Sequence, residues 1–257
     1  MATTIKSSIL IGGLTIGAIV GVFLLPPIAQ DPLFHKFADT RTIFTIPNFY
    51  NVISNLPFLV LGIVGFYAFF KNNKLSSTSF AILTLFIGVT GIGMGSAYYH
   101  LNPTNATLVW DRIPMTVTFM SFFAIIIGHY INERWSFILL LPMLAIGVLS
   151  VLTWYYGELN GQGDLRLYAL VQFFPMLAIP LIIFIYPTPR IMRIEIIGTI
   201  ILYAIAKFFE HKDVVIFNAG SILSGHTIKH LFAAAAVFLI LQIVKRRSNT
   251  PVIDGSR

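Results

Sequence analysis

Long apolar runs, separated by short polar or Gly/Pro-containing breaks, organise the chain from end to end. Eight recur, at roughly residues 8–25, 49–70, 79–99, 108–130, 136–156, 165–186, 191–209 and 220–244. About 18 or more apolar residues are what a helix needs to cross a hydrocarbon core of about 30 Å. Backbone groups in lipid must be satisfied within the segment, and the runs are too long for barrel strands, so the pattern predicts helices. Leu25-Pro26-Pro27 at the end of the first run lacks a small-x-small cleavage pattern. A retained first helix at 8–25 is therefore expected rather than a cleaved signal. No repeat, low-complexity tract or separate soluble stretch interrupts the series. Residues 1–257 read as a single transmembrane domain of all-α integral membrane class.

Composition strengthens this picture. The chain is 56% hydrophobic and only 11% charged, with a mean hydropathy of +0.83, too little charge to coat a soluble surface. With no cysteine, disulfides and thiolate metal sites are excluded, and any metal must be held by His, Asp, Glu or neutral oxygen donors. The net charge of +7 needs no nucleic acid to explain it. Eight spans put both termini on one side, which gathers Lys6, Lys71, Lys74, Arg134, Arg190, Arg193, Lys245, Arg246, Arg247 and Arg257 against Glu133, Glu195 and Asp254. That excess predicts cytoplasmic termini, with 245–257 as a basic cytoplasmic tail.

Ionisable residues at the ends of membrane helices are costly, and so mark function. Three clusters qualify: Gly91-Ile-Gly-Met-Gly95-Ser96-Ala-Tyr-Tyr-His100, then Asp111-Arg112-Ile-Pro114, then Ser224-Gly-His226-Thr-Ile-Lys-His230. The topology carries all three to one depth, toward the non-cytoplasmic face. His226 and His230, four apart, share a helical face and can bite one ion. Ser96 stands one turn from His100. Three His ligands with a fourth position open to water form a catalytic rather than a structural zinc pattern. The bland readings are a His pair that bridges helices or holds haem, and an interfacial Asp111–Arg112 ion pair. Gly91 and Gly95 read as a small-residue packing seam. Lys207, Glu210, His211, Lys212 and Asp213 read as a solvated charged turn. Trp135, Trp154, Tyr155 and Tyr156 read as aromatic anchors at the membrane interface.

At these residues the chain resembles the alkaline ceramidase family, within the superfamily that includes adiponectin-receptor-type proteins. Asn48-Phe-Tyr-Asn51-Val-Ile-Ser-Asn55-Leu is similar to the opening of that family's first core helix. Ser96-Ala-Tyr-Tyr-His100 with Asp111-Arg-Ile-Pro114-Met, and His226-Thr-Ile-Lys-His230, are similar to its later blocks. The agreement runs from about residue 48 to 235. It implies a seven-transmembrane-helix core at 48–244, to which the first span is one additional N-terminal helix. It further implies zinc held by His100, His226 and His230, with Ser96 and Asp111 as catalytic partners.

The loop upstream departs from the family pattern. The animal enzymes carry a calcium-binding Asp-Trp-Cys-Glu run there, followed by Asn and a later Glu. This chain has Asp31-Pro-Leu-Phe-His35-Lys-Phe-Ala-Asp39-Thr-Arg41, with Asn48 at the place of the later Glu. Only Asp39 and Asn48 are left as calcium donors, a poor cage. Weak or absent calcium dependence is expected, with Arg41 or Lys36 supplying the balancing charge.

The expected activity is zinc-dependent hydrolysis of the amide of ceramide or a related N-acyl lipid, giving a fatty acid and a sphingoid base. Asp111 would move the proton and Ser96 would steady the charged oxygen. The rivals are a receptor-like protein of the same fold that binds fatty acid without turnover, a haem protein and, last, a transporter. Besides substrate and membrane lipids no partner is indicated, and oligomeric state is not legible.

Overall fold

A computed structural model describes residues 2–71, 76–186 and 190–249. Ten α-helices follow one another in them. They are α1 (Ala2–Leu24), α2 (Phe49–Ile53), α3 (Leu56–Lys71), α4 (Ser79–Leu101), α5 (Asn105–Tyr130), α6 (Glu133–Leu159), α7 (Arg166–Ile185), α8 (Arg190–His211), α9 (Asp213–Gly220) and α10 (Gly225–Asn249). Among the described residues, six segments are long and apolar enough to cross a membrane: Phe49–Lys71, α4, α5, α6, α7 and Gly225–Arg246 of α10. Ile11–Leu24 of α1 is a shorter apolar stretch. The 22 residues of α8 match the others in length. However, Arg193 and Glu195 near one end and Lys207 and Glu210 near the other leave it no comparable uncharged window. The chain is thus an all-helical, multi-pass membrane protein, as the apolar pattern predicts.

Two predicted runs are broken. The second divides at Ser54 and Asn55, because their side chains both bond the Asn51 carbonyl, Ser54 Oγ at 3.1 Å and Asn55 Nδ2 at 2.8 Å. Such local side-chain bonds compete with the helical ladder. The eighth run starts at Gly225 rather than 220, since Ser221 adopts a left-handed conformation (φ 52°) that ends α9. Lys74 and the tail beyond residue 249, with Asp254 and Arg257, lie outside the described residues. Lys245 and Arg246 belong to the last turns of α10, and Arg246 Nε meets Glu195 Oε1 of α8 at 2.8 Å.

α4 packs most extensively against α5. Thr104 and Thr107 exchange side-chain to backbone bonds in a capping box that starts α5, satisfying two otherwise orphaned N–H groups. Pro114 inside α5 has no N–H for the Trp110 carbonyl four residues back. Gly95 of α4 sits against that carbonyl. A Cβ there would lie 1.9 Å from Trp110 O, while Gly91 faces the Pro114 ring and Gly88 faces Thr118. The glycine seam therefore sets the depth to which α4 sinks into α5, and with it the approach of Ser96 to Asp111. Gly95→Ala meets backbone that no rotamer change can move. It is expected to cost about 1–3 kcal/mol, read as a lower thermal midpoint in detergent, and to lower activity at least as strongly. Gly91→Ala, facing a ring at 3.0–3.2 Å, should be milder.

Candidate metal centre and lipid cavity

His100 lies in the last turn of α4, while His226 and His230 lie in the first two turns of α10. The three rings form a nearly equilateral triangle, with centroids 4.8, 4.9 and 5.0 Å apart. One ligating nitrogen from each falls within 4.8 Å of the others, and all three residues are buried. Burying imidazole nitrogens without partners is costly. Yet among the described residues neither ring nitrogen of His100, nor Nε2 of His230, has a hydrogen-bond partner. A shared cation can satisfy His230 Nε2 and one nitrogen of His100, so the residues fit a metal.

The His230 ring is also oriented for that role. Ser54 Oγ lies 2.7 Å from His230 Nδ1 and donates its own proton to the Asn51 carbonyl. It must therefore accept from Nδ1–H, which leaves the lone pair on Nε2 for the ion. A second hydrogen bond of this kind fixes the tautomer of metal-binding histidines. Asn51 is itself a hub, its Oδ1 accepting from Thr227 Oγ1 of α10 at 2.8 Å and its Nδ2 donating to the Asp39 carbonyl at 3.3 Å.

The segment between α1 and α2 covers the triangle. Phe37 packs edge-on to His100 and tilted against His226, each at a centroid distance of 4.7 Å. Asp213 of α9 binds both partners: Oδ1 accepts from the His226 N–H at 2.7 Å and Oδ2 from the Ala38 N–H at 2.9 Å. His35 is tied to Tyr99 Oη at 3.0 Å and to Asn105 Oδ1 at 2.9 Å.

Asp111, two turns into α5, is buried and hydrogen-bonded to Ser96. Both line a cavity that His230 also lines. Its walls are mostly apolar, with Phe58, Phe119, Phe122, Val237 and Ile240 among them. From His230 to Ile240 the α10 wall spans about 15 Å at 1.5 Å per residue, room for a good part of an acyl chain.

Several sequence expectations change here. Arg112 makes no interfacial pair with Asp111. Its buried guanidinium is caged by Trp154 (4.2 Å), Tyr168 (4.7 Å) and Phe34 (5.5 Å) and donates to Gln30 Oε1 at 2.6 Å. Trp154 accordingly lies in the core rather than at the interface. Nor are the charges around His211 a solvated turn. Lys207 and Glu210 line the cavity together with Lys229, Glu210 bonding Lys207 through one oxygen and Lys229 Nζ through the other at 2.6 Å. A membrane helix can hold these charges because the Glu210 carboxylate pairs with both ammonium groups inside the bundle. In the loop, both Asp39 oxygens are taken by Arg41, from Nε at 2.8 Å and Nη2 at 2.6 Å. Asn48 donates to the His100 carbonyl at 2.8 Å. Asn51, Ser54, Phe37 and Asp213 received no site role from the sequence. The signal for Asn51 and Ser54 was polar spacing at the start of an otherwise apolar helix; Phe37 gave none, and Asp213 read as part of a charged turn.

The family model described as Ceramidase matches residues 41–250. The chain belongs to the ceramidase family. No curated protein and no solved structure matches it. The ceramidase match takes in every residue of the triangle and the cavity, whereas α1 lies outside it. Membership supports a membrane enzyme that hydrolyses ceramide, and the three histidines can hold the metal such chemistry would use.

Proposed function

We propose that the chain is a zinc-dependent intramembrane amidohydrolase that cleaves ceramide, or a related N-acyl lipid, to a fatty acid and a sphingoid base. The observation that carries the reading is the triangle of buried imidazoles, in which both His100 nitrogens and His230 Nε2 lack partners among the described residues, set beside a carboxyl group at the head of a largely apolar cavity. Three neutral nitrogens with room for a fourth ligand suit zinc. When bound, zinc polarises a carbonyl and acidifies water.

His100, His226 and His230 would hold the ion. Asp111 takes a proton from the attacking water and returns it to the leaving nitrogen, as a positioned general base and acid. Ser96 is engaged with Asp111 at rest. Once the carboxyl is protonated and donates to Ser96, the Ser96 hydroxyl proton is free for the oxygen that has gained charge. Phe119, Phe122 and Val237 hold the acyl chain, and Phe37 keeps bulk water off the imidazoles. Purified protein given labelled ceramide should release free fatty acid in proportion to its zinc content by elemental analysis. Stoichiometric zinc with bound lipid and no release would replace the enzyme by a receptor-like binder.

The bidentate Arg41–Asp39 pair supports a second element of the proposal, that this loop works without calcium. Asp39 and Asn48 would be the available donors, and Arg41 already neutralises Asp39. A calcium-selective chelator should leave the rate within about twofold, and a zinc-selective one should abolish it. Loss of activity on calcium removal, restored by adding calcium back, would reverse this assignment.

We further propose one transmembrane unit in which α8 completes a seven-helix core and α1 is an eighth span. Both termini are then cytoplasmic and the metal centre faces the other side. The supporting observation is the basic excess at one set of helix ends.

A further inference from the structure

One buried acceptor at the head of the cavity has no partner among the described residues. Asn55 is 1% exposed and lines the cavity with Ser96, Asp111 and His230. The orientation of its amide is fixed by chemistry. Nδ2 lies 2.8 Å from the Asn51 carbonyl, which only a donor can approach, so the group facing elsewhere is the carbonyl oxygen Oδ1. That oxygen makes no hydrogen bond. The nearby bonds do not need it: Ser54 serves His230, and Asn51 Oδ1 takes Thr227. Its neighbour Ser54 touches His230, which places Asn55 at the level of the metal ligands rather than deep among the acyl-lining residues.

We propose that Asn55 is a specificity-determining residue whose Oδ1 accepts a hydrogen bond from the sphingoid half of the substrate, from either the scissile amide N–H or a neighbouring hydroxyl. The inference rests on the amidohydrolase reading and narrows it. A buried acceptor left unmet costs its full desolvation. A site built around such a group rejects an analogue lacking the donor far more strongly than a missing methylene is rejected. An ester of the same acyl chain, with no N–H and no sphingoid hydroxyl, leaves Oδ1 unmet. Ceramide meets it. The acyl chain itself carries no donor, so Asn55 does not discriminate among chain lengths.

The test compares the full chain, zinc-loaded in lipid nanodiscs, with its Asn55→Leu variant on three substrates: ceramide, its N-methyl analogue and its 3-deoxy analogue. The wild type should favour ceramide over one of the two donor-deleted analogues by roughly 10- to 100-fold in kcat/KM, and the disfavoured analogue names the donor. In N55L, with zinc content unchanged, the preference should shrink to within about threefold. This loss should fall on ceramide and spare the analogue that lacks the matching donor. A variant that keeps the wild-type preference overturns the proposal. If N55L does not fold, the wild-type comparison decides alone, and equal turnover of all three substrates overturns it. Failure of the underlying reading looks different, since the wild type would then cleave none of them.

Discussion

His230→Ala is expected to remove zinc and amide hydrolysis together, with turnover falling by roughly three orders of magnitude or more. A metal ion contributes several kcal/mol to such a reaction, and each 1.36 kcal/mol is tenfold in rate. His226→Ala should behave alike, since the two imidazoles are adjacent corners of one triangle. The check is zinc per chain, measured beside the rate on one preparation. Full activity in a zinc-free variant would dismantle the metal assignment. Ser54→Ala is the graded control: it removes the group that holds His230 Nδ1 and leaves all three ligands. Loss of such an orienting partner typically weakens metal affinity by about 10- to 100-fold. Activity should therefore fall at limiting zinc and recover as zinc is raised.

Asp111→Asn is the second large effect, and it separates chemistry from metal binding. The amide has the shape of the carboxyl group and can still bond Ser96, but it cannot carry a proton. Zinc content should stay at the wild-type level while kcat falls by about 10²–10⁴, the usual contribution of a positioned general base. An unchanged rate would take the proton-transfer role away from Asp111. The variant is also a means of trapping uncleaved lipid in the cavity.

What the sequence revealed and what it hid follow from the physics of each signal. Helical spacing makes His226 and His230 neighbours without any tertiary knowledge. An alternating topology then lifts His100 and Asp111 to the same depth, so the meeting of these residues was legible once the apolar runs were counted. Breaks within a run were not, because nothing in the composition of 49–70 says that Ser54 and Asn55 will bond the Asn51 carbonyl rather than solvent. The charges near His211 misled for a related reason. Lys207 and Glu210 read as a wet turn because Lys229, which completes their pairing from α10, lies some twenty residues away. Trp154 looked like an interface anchor, but the buried Arg112 guanidinium, bonded to Gln30 rather than to a carboxylate, lies on its ring. In each case the missing information was a contact between helices, which no window of local sequence contains.

The two oxygens of Asp213 have a last consequence. One grips the ligand-bearing helix and the other grips the strap that carries Phe37, so a single side chain fastens the cover to the thing it covers. The two oxygens act separately, however: displacing the strap breaks the bond from the Ala38 N–H and leaves Oδ1 accepting from the His226 N–H. The start of α10 stays anchored while its cover moves.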